Sequence, residues 1–144
     1  MSAIIRLPME PHQVETFRTS LKRCLAEPGF LDTFYKRFVA SSEEVREKFK
    51  NTDLGRQTRM LADSLYVMAN AALSEEGSPG RGSLPYIAAR HSHSDLDIPP
   101  KLYDHWLACL IDTARLHDPD FAPEVEAAWR ATLGWGIEYM RSRY

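Results

Sequence analysis

One histidine in this chain is placed where it could bind a metal or a metal-bearing cofactor. His91 follows Leu84, Ile87 and Ala88 by seven, four and three residues, a spacing that puts all four on one face of a helix. A buried imidazole without a partner costs free energy, so this histidine must pair with something. Hydrogen bonding within the core is the commoner outcome, and a metal or metal-bearing cofactor is the alternative.

Two more polar side chains lie in apolar stripes upstream. Tyr35 lies between Phe34 and Phe38 in an aromatic stripe. Gln57 is the one polar member of a stripe with helical spacing, formed by Leu54, Gln57, Leu61, Leu65, Met68 and Ala72. Either residue alone is commonly a core tyrosine or a glutamine that reaches solvent from a helix end. Three polar residues on three apolar faces together indicate a cofactor pocket.

The elements that must position these residues are all helices. The periodicity predicts an all-α chain of about seven helices, forming a single domain over residues 1–144. The first predicted helix is His12–Ala26, and the second ends near Ala40. A short third helix begins at a capping box of Ser41 and Glu44, and a longer fourth helix is capped within Asn51–Asp53. The short helix bearing His91 follows, then one that begins at Pro99 and Pro100, and then one that runs almost to Tyr144. Valine and isoleucine are scarce and no segment alternates with period two, so a sheet is not expected.

The composition excludes several classes of protein. A formal net charge of -2 provides no basic field for nucleic acid or an anionic membrane. No apolar run approaches the ~18 residues of a membrane span, and none follows a basic start as in a secretory signal. Cys24 and Cys109 belong to no CxxC pair, so free thiols in a reducing compartment are expected. These features favour a cytoplasmic protein.

The residues above, in this order and spacing, resemble bacterial single-domain globins, flavohaemoglobin globin domains and globin sensor domains. The resemblance runs from about Phe17 to Met140. The matching features are Phe34–Phe38, Phe49, Gln57 with Leu61, Ala88–His91, Pro99–Tyr103 and Glu126–Trp129. The resemblance implies the globin fold, with helices packed around haem b.

The resemblance also implies which residues form the site. His91 would bind the iron, and His93 is the alternative, because counting back from Pro100 gives His93 the commoner spacing. His93 lies about 200° around the helix from His91, away from its apolar face, which favours His91. Tyr35, Gln57 and Leu61 would face the bound gas. The side chains implied to contact the haem are Phe49, Leu61, Ile87, His91, Ile98, Tyr103, Trp106 and Leu107.

The function that this implies is reversible binding of dioxygen and of other diatomic gases such as carbon monoxide and nitric oxide. Hydrogen bonds from Tyr35 and Gln57 would stabilise dioxygen, which carries partial negative charge when bound. One alternative is a nitric oxide dioxygenase or peroxidase-like enzyme served by an external reductase. Another is a gas or redox sensor acting through a signalling partner or a homodimer. A globin fold without haem is the remaining alternative.

Overall fold

Six α-helices and no strand form the part of the chain that the computed structural model describes, residues 9–74 and 99–142. The helices are α1 (Pro11–Ala26), α2 (Phe30–Ala40), α3 (Glu43–Phe49), α4 (Leu54–Ala72), α5 (Leu102–His117) and α6 (Pro123–Ser142). They confirm the all-α prediction and six of its helices. The predicted seventh helix, which carries His91, lies outside the described residues.

Polar side chains cap the N-termini of three of the helices. Glu10 and Asp53 accept hydrogen bonds from backbone N–H groups in the first turns of α1 and α4. The predicted capping box at Ser41 is wrong. Ser42 caps α3, and its Oγ accepts from the N–H of Val45 at 3.1 Å. Ser42 has the extended backbone of an N-cap, whereas Ser41 is still helical and its hydroxyl donates to the Phe38 carbonyl at the end of α2.

Aromatic side chains hold the helices together in the core. Trp129 of α6 is fully buried and packs edge-on against Phe17 of α1, with ring centroids 4.8 Å apart. Phe34 of α2 stacks on Phe38 and meets Trp106 of α5 at 6.5 Å. Burial of each such side chain contributes about 1.5–3 kcal/mol. These contacts fix α1 against α6 and α2 against α5.

Helix α4 leaves the core at its N-terminal end. Leu61, Leu65 and Met68 are buried, as the stripe predicts, but Leu54 is exposed. Gln57 is half-buried between these two environments. The apolar face of α4 therefore begins at Leu61, and Gln57 lies at its border.

The structure also describes the two cysteines and the length and polarity of the helices. Cys24 and Cys109 are both free thiols, and burial raises the pKa of Cys24 to about 12. Within residues 9–74 and 99–142, every helix is too short or too polar to cross a lipid bilayer.

Candidate functional site

A cavity of about 160 Å³ lies between α2, α3, α4 and α5, with α6 at one end. The described residues that line it are Tyr35, Phe38, Lys48, Phe49, Gln57, Met60, Leu61, Ser64, Met68, Leu102, Tyr103, Trp106 and Met140. Most of these side chains are apolar or aromatic, and a few are polar. A mainly apolar cavity with a few polar groups is the usual form of a cofactor or small-molecule site.

Three aromatic rings form one wall of the cavity. Phe49, at the end of α3, lies edge-on to Phe38 with centroids 5.7 Å apart and is tilted against Tyr35 at 6.1 Å. Phe49 is half-buried, so part of its ring is not covered by described residues. The short helix α3 and its Ser42 cap therefore position a flat apolar surface at the cavity.

The phenol of Tyr35 is the buried hydrogen-bond donor of this wall. Tyr35 is 6% exposed, and its hydroxyl donates to the backbone carbonyl of Gln57 at 3.3 Å. Most O–H···O hydrogen bonds are about 2.5–3.0 Å long, so this bond is weak and can be exchanged for another acceptor. Burial raises the pKa of Tyr35 well above its ordinary value, so the phenol stays neutral and able to donate.

Charged side chains lie at the α3 edge of the cavity. Lys48 lines the cavity and is exposed to solvent. Glu44, one turn earlier on the same helix face, pairs with Lys101 just before α5 at 3.0 Å. This ion pair joins α3 to the start of α5, and the ammonium-bearing side chain of Lys48 lies at the rim of the cavity.

Most of the sequence-predicted site residues that the structure describes line this one cavity. They are Tyr35, Phe49, Gln57, Leu61, Tyr103 and Trp106. Leu107 is not among the lining residues and is partly buried against the core instead. Ile87, His91, His93 and Ile98 lie outside the described residues. The proposed role of each residue stays a prediction.

Sequence reasoning missed seven of the lining residues: Phe38, Lys48, Met60, Ser64, Met68, Leu102 and Met140. Met60 could have been found from the sequence, because it is a large apolar residue outside the apolar stripe of α4. In the structure it is 51% exposed. Met68 and Met140 looked like ordinary core residues. Nothing in their spacing separates a residue that faces a cavity from one that faces another helix.

In residues 9–74 and 99–142, no three histidine, cysteine, aspartate or glutamate side chains are grouped so that they could hold a metal ion. The described lining residues offer hydrogen bonds and apolar contacts around the cavity.

Comparison with known proteins identifies the family. No protein-family model matches the chain, and a search of curated proteins finds no match. The chain is similar to a Pseudomonas aeruginosa PAO1 protein of known crystal structure, whose description calls it structurally highly homologous to a human hemoglobin. The two chains are 36% identical, the alignment covers 92% of this chain and 98% of the other, and the TM-score is 0.84.

The helical architecture is thus that of the globin class. Because the identity and the coverage are both high, the chain belongs to the globin family, as a relative of a bacterial member.

Proposed function

We propose that the cavity holds haem b and that the protein reversibly binds dioxygen and other diatomic gases. The observation that carries this proposal is the neutral, buried phenol of Tyr35 beside Gln57, within an apolar cavity of a globin fold. Bound haem would supply an iron that takes a gas as its ligand.

The lining fits haem chemically on two counts. The aromatic and aliphatic side chains, Phe49, Leu61 and Trp106 among them, suit a flat apolar macrocycle. Lys48 at the rim suits a carboxylate, such as a haem propionate. The iron ligand that we propose is His91, with His93 as the alternative.

Tyr35 has the means to discriminate between gases. Its hydroxyl makes only one weak hydrogen bond, to the Gln57 carbonyl, so turning it toward a charged acceptor loses little. A hydrogen bond to a charged acceptor contributes about 1.5–3 kcal/mol. Gln57 also lines the cavity, and its side-chain amide would supply a second donor. Dioxygen, which becomes more negative than carbon monoxide on binding, gains more from these donors.

The enzymatic and sensing alternatives stay predictions, and so do the external reductase, the signalling partner and the homodimer. Gas binding needs no partner beyond the haem, and for that reason we propose it first.

The test is titration of the purified protein with hemin, followed by visible absorption. We expect saturation at one hemin per chain and a histidine-ligated ferrous spectrum that His91→Ala abolishes. Phe49→Ala removes a lining ring and should weaken hemin binding about ten-fold or more.

The matched control is Phe121→Ala, which removes another half-buried ring that does not line this cavity. Its hemin affinity should equal that of the parent. Loss of the signature in His93→Ala alone would move the iron ligand to His93. Failure of the parent to take up hemin, or equal losses in the two phenylalanine variants, would refute the haem site.

A further inference from the structure

Gly136 of α6 leaves a recess that the end of the Met68 side chain fills. A Cβ atom built on Gly136 would lie 2.1 Å from Cε of Met68, and 3.4 and 3.5 Å from its Cγ and Sδ. Non-bonded carbon atoms prefer a separation of about 3.5–4.0 Å. The observed conformation of Met68 therefore requires a glycine at position 136.

The recess adjoins the buried end of the cavity. Met68 projects from α4, is 3% exposed and lines the cavity. Met140, one turn after Gly136 on α6, lines the cavity as well. The Met68 thioether thus lies between two spaces: the recess over the backbone of Gly136, and the cavity itself.

We propose that Gly136 is a specificity-determining residue, because it keeps the Met68 thioether out of the cavity and so sets the room available to the ligand. An alanine methyl would displace the thioether. Methionine has three rotatable bonds, so its end moves readily. Among the described residues, the cavity that Met68 lines offers space for the displaced thioether. This inference rests on the proposed function, since it concerns the cavity that we assign to haem.

The same helix provides a matched control. Gly134 lies two residues earlier on α6, and a Cβ atom built there meets no atom of the described residues within 4 Å. Gly134→Ala and Gly136→Ala make the same chemical change in the same helix, and both replace glycine by a better helix former. They differ only in what the new methyl group meets.

The experiment measures the rate at which the loaded protein loses hemin to an excess of an acceptor protein. We expect Gly136→Ala to raise this rate about ten-fold, the effect of moderate overpacking. Gly134→Ala should leave the rate unchanged. In a Met68→Ala background, Gly136→Ala should have no effect on the rate, because the side chain that it displaces is absent.

A second measurement does not depend on haem. Xenon enters apolar cavities in proteins, so the ¹²⁹Xe chemical shift of the haem-free chain reports the free space. Gly136→Ala should reduce the ¹²⁹Xe chemical shift when Met68 is present, and it should not reduce that shift in the Met68→Ala variant. Circular dichroism establishes that each variant remains helical.

The outcomes separate the two proposals. Hemin loss that is unchanged by Gly136→Ala, or raised equally by Gly134→Ala or in the Met68→Ala background, would overturn the role of Gly136. If the parent takes up no hemin, the haem proposal fails, and the xenon measurement alone decides. A reduced xenon shift then supports the role of Gly136, and an unchanged shift overturns it.

Discussion

Asp118 and Tyr35 are both buried polar side chains, but the structure satisfies them to very different degrees. Asp118 lies just after α5 and is 3% exposed. One carboxylate oxygen accepts from Nε of Arg23 at 2.6 Å and the other from Ser20 Oγ at 2.6 Å, with further bonds from Arg23 and the N–H of Asp120. Tyr35 makes one hydrogen bond, at 3.3 Å.

The surroundings of the two groups differ in the same way. Around Asp118 the network continues, because Nε1 of the buried Trp129 donates to Ser20 Oγ at 2.9 Å. Around Tyr35 lies a cavity. A buried group with every partner in place stabilises one conformation, whereas a weakly bonded group at a cavity is available to a ligand. The comparison indicates that Asp118 stabilises the fold, and it supports the ligand-binding role that we propose for Tyr35.

The largest expected effect on stability is that of Asp118→Ala. The change leaves the partly buried guanidinium of Arg23 and the hydroxyl of Ser20 without their acceptor, and it should reduce the free energy of unfolding by about 2–4 kcal/mol. Urea denaturation measures this. Asp112→Ala, which breaks an exposed pair with Arg115, is the control and should lose less than about 1 kcal/mol. Similar losses in the two variants would remove the distinction between the buried network and the surface.

Tyr35→Phe should change stability little and gas release strongly, in contrast to Asp118→Ala. Because its hydrogen bond is long, the loss of stability should stay below about 1 kcal/mol. Release of dioxygen from the haem-loaded protein should be about 10–100 times faster, and release of carbon monoxide should change much less. Stopped-flow ligand replacement measures both rates, with Tyr66→Phe, outside the cavity lining, as control. Equal acceleration for both gases would indicate altered packing rather than a lost hydrogen bond.

The pH dependence of stability gives the smallest effect. Burial alone raises the pKa of Asp118, but hydrogen bonds from Arg23, Ser20 and the Asp120 N–H outweigh it and hold that pKa below its ordinary value of 3.8. The unfolded chain therefore binds this proton more readily. The stability that Asp118 contributes is present above about pH 4 and is lost as pH falls through the lower pKa of the folded protein.

The check on this sign is a pair of urea titrations at about pH 6 and about pH 3. The parent should lose more stability between them than Asp118→Asn, which cannot titrate at this position. A parent that loses no more than the asparagine variant would show that the network does not depend on the charge of Asp118.

The fold could largely be predicted because the spacing of apolar residues along each helix shows which of its faces packs against the core. The stripe of Leu61, Leu65 and Met68 marks the buried side of α4, and these residues are buried. The choice between two adjacent residues that could cap the same helix was harder to predict. Ser41 and Ser42 are adjacent and chemically identical, and the end of α2 decides which of them caps α3.

The candidate site was predictable in part. Aromatic and polar residues in apolar stripes, together with the resemblance to globins, led to Tyr35, Phe49 and Gln57, and all three line the cavity. The recess between Gly136 and Met68 was not predictable, because it depends on how α4 crosses α6. The spacing of residues within either helix carries no information about that crossing.

The sequence by itself determined which segments are helical, which face of each is apolar and which residues could do chemistry, because these properties repeat along a single helix. Only the tertiary structure decided which polar groups meet. No spacing in the sequence links Asp118 to Ser20 and Arg23, yet the fold brings these three side chains together from distant parts of the chain. Packing between distant helices determines such partners, and it gave Asp118 several hydrogen bonds while it left Tyr35 with one long hydrogen bond beside a cavity.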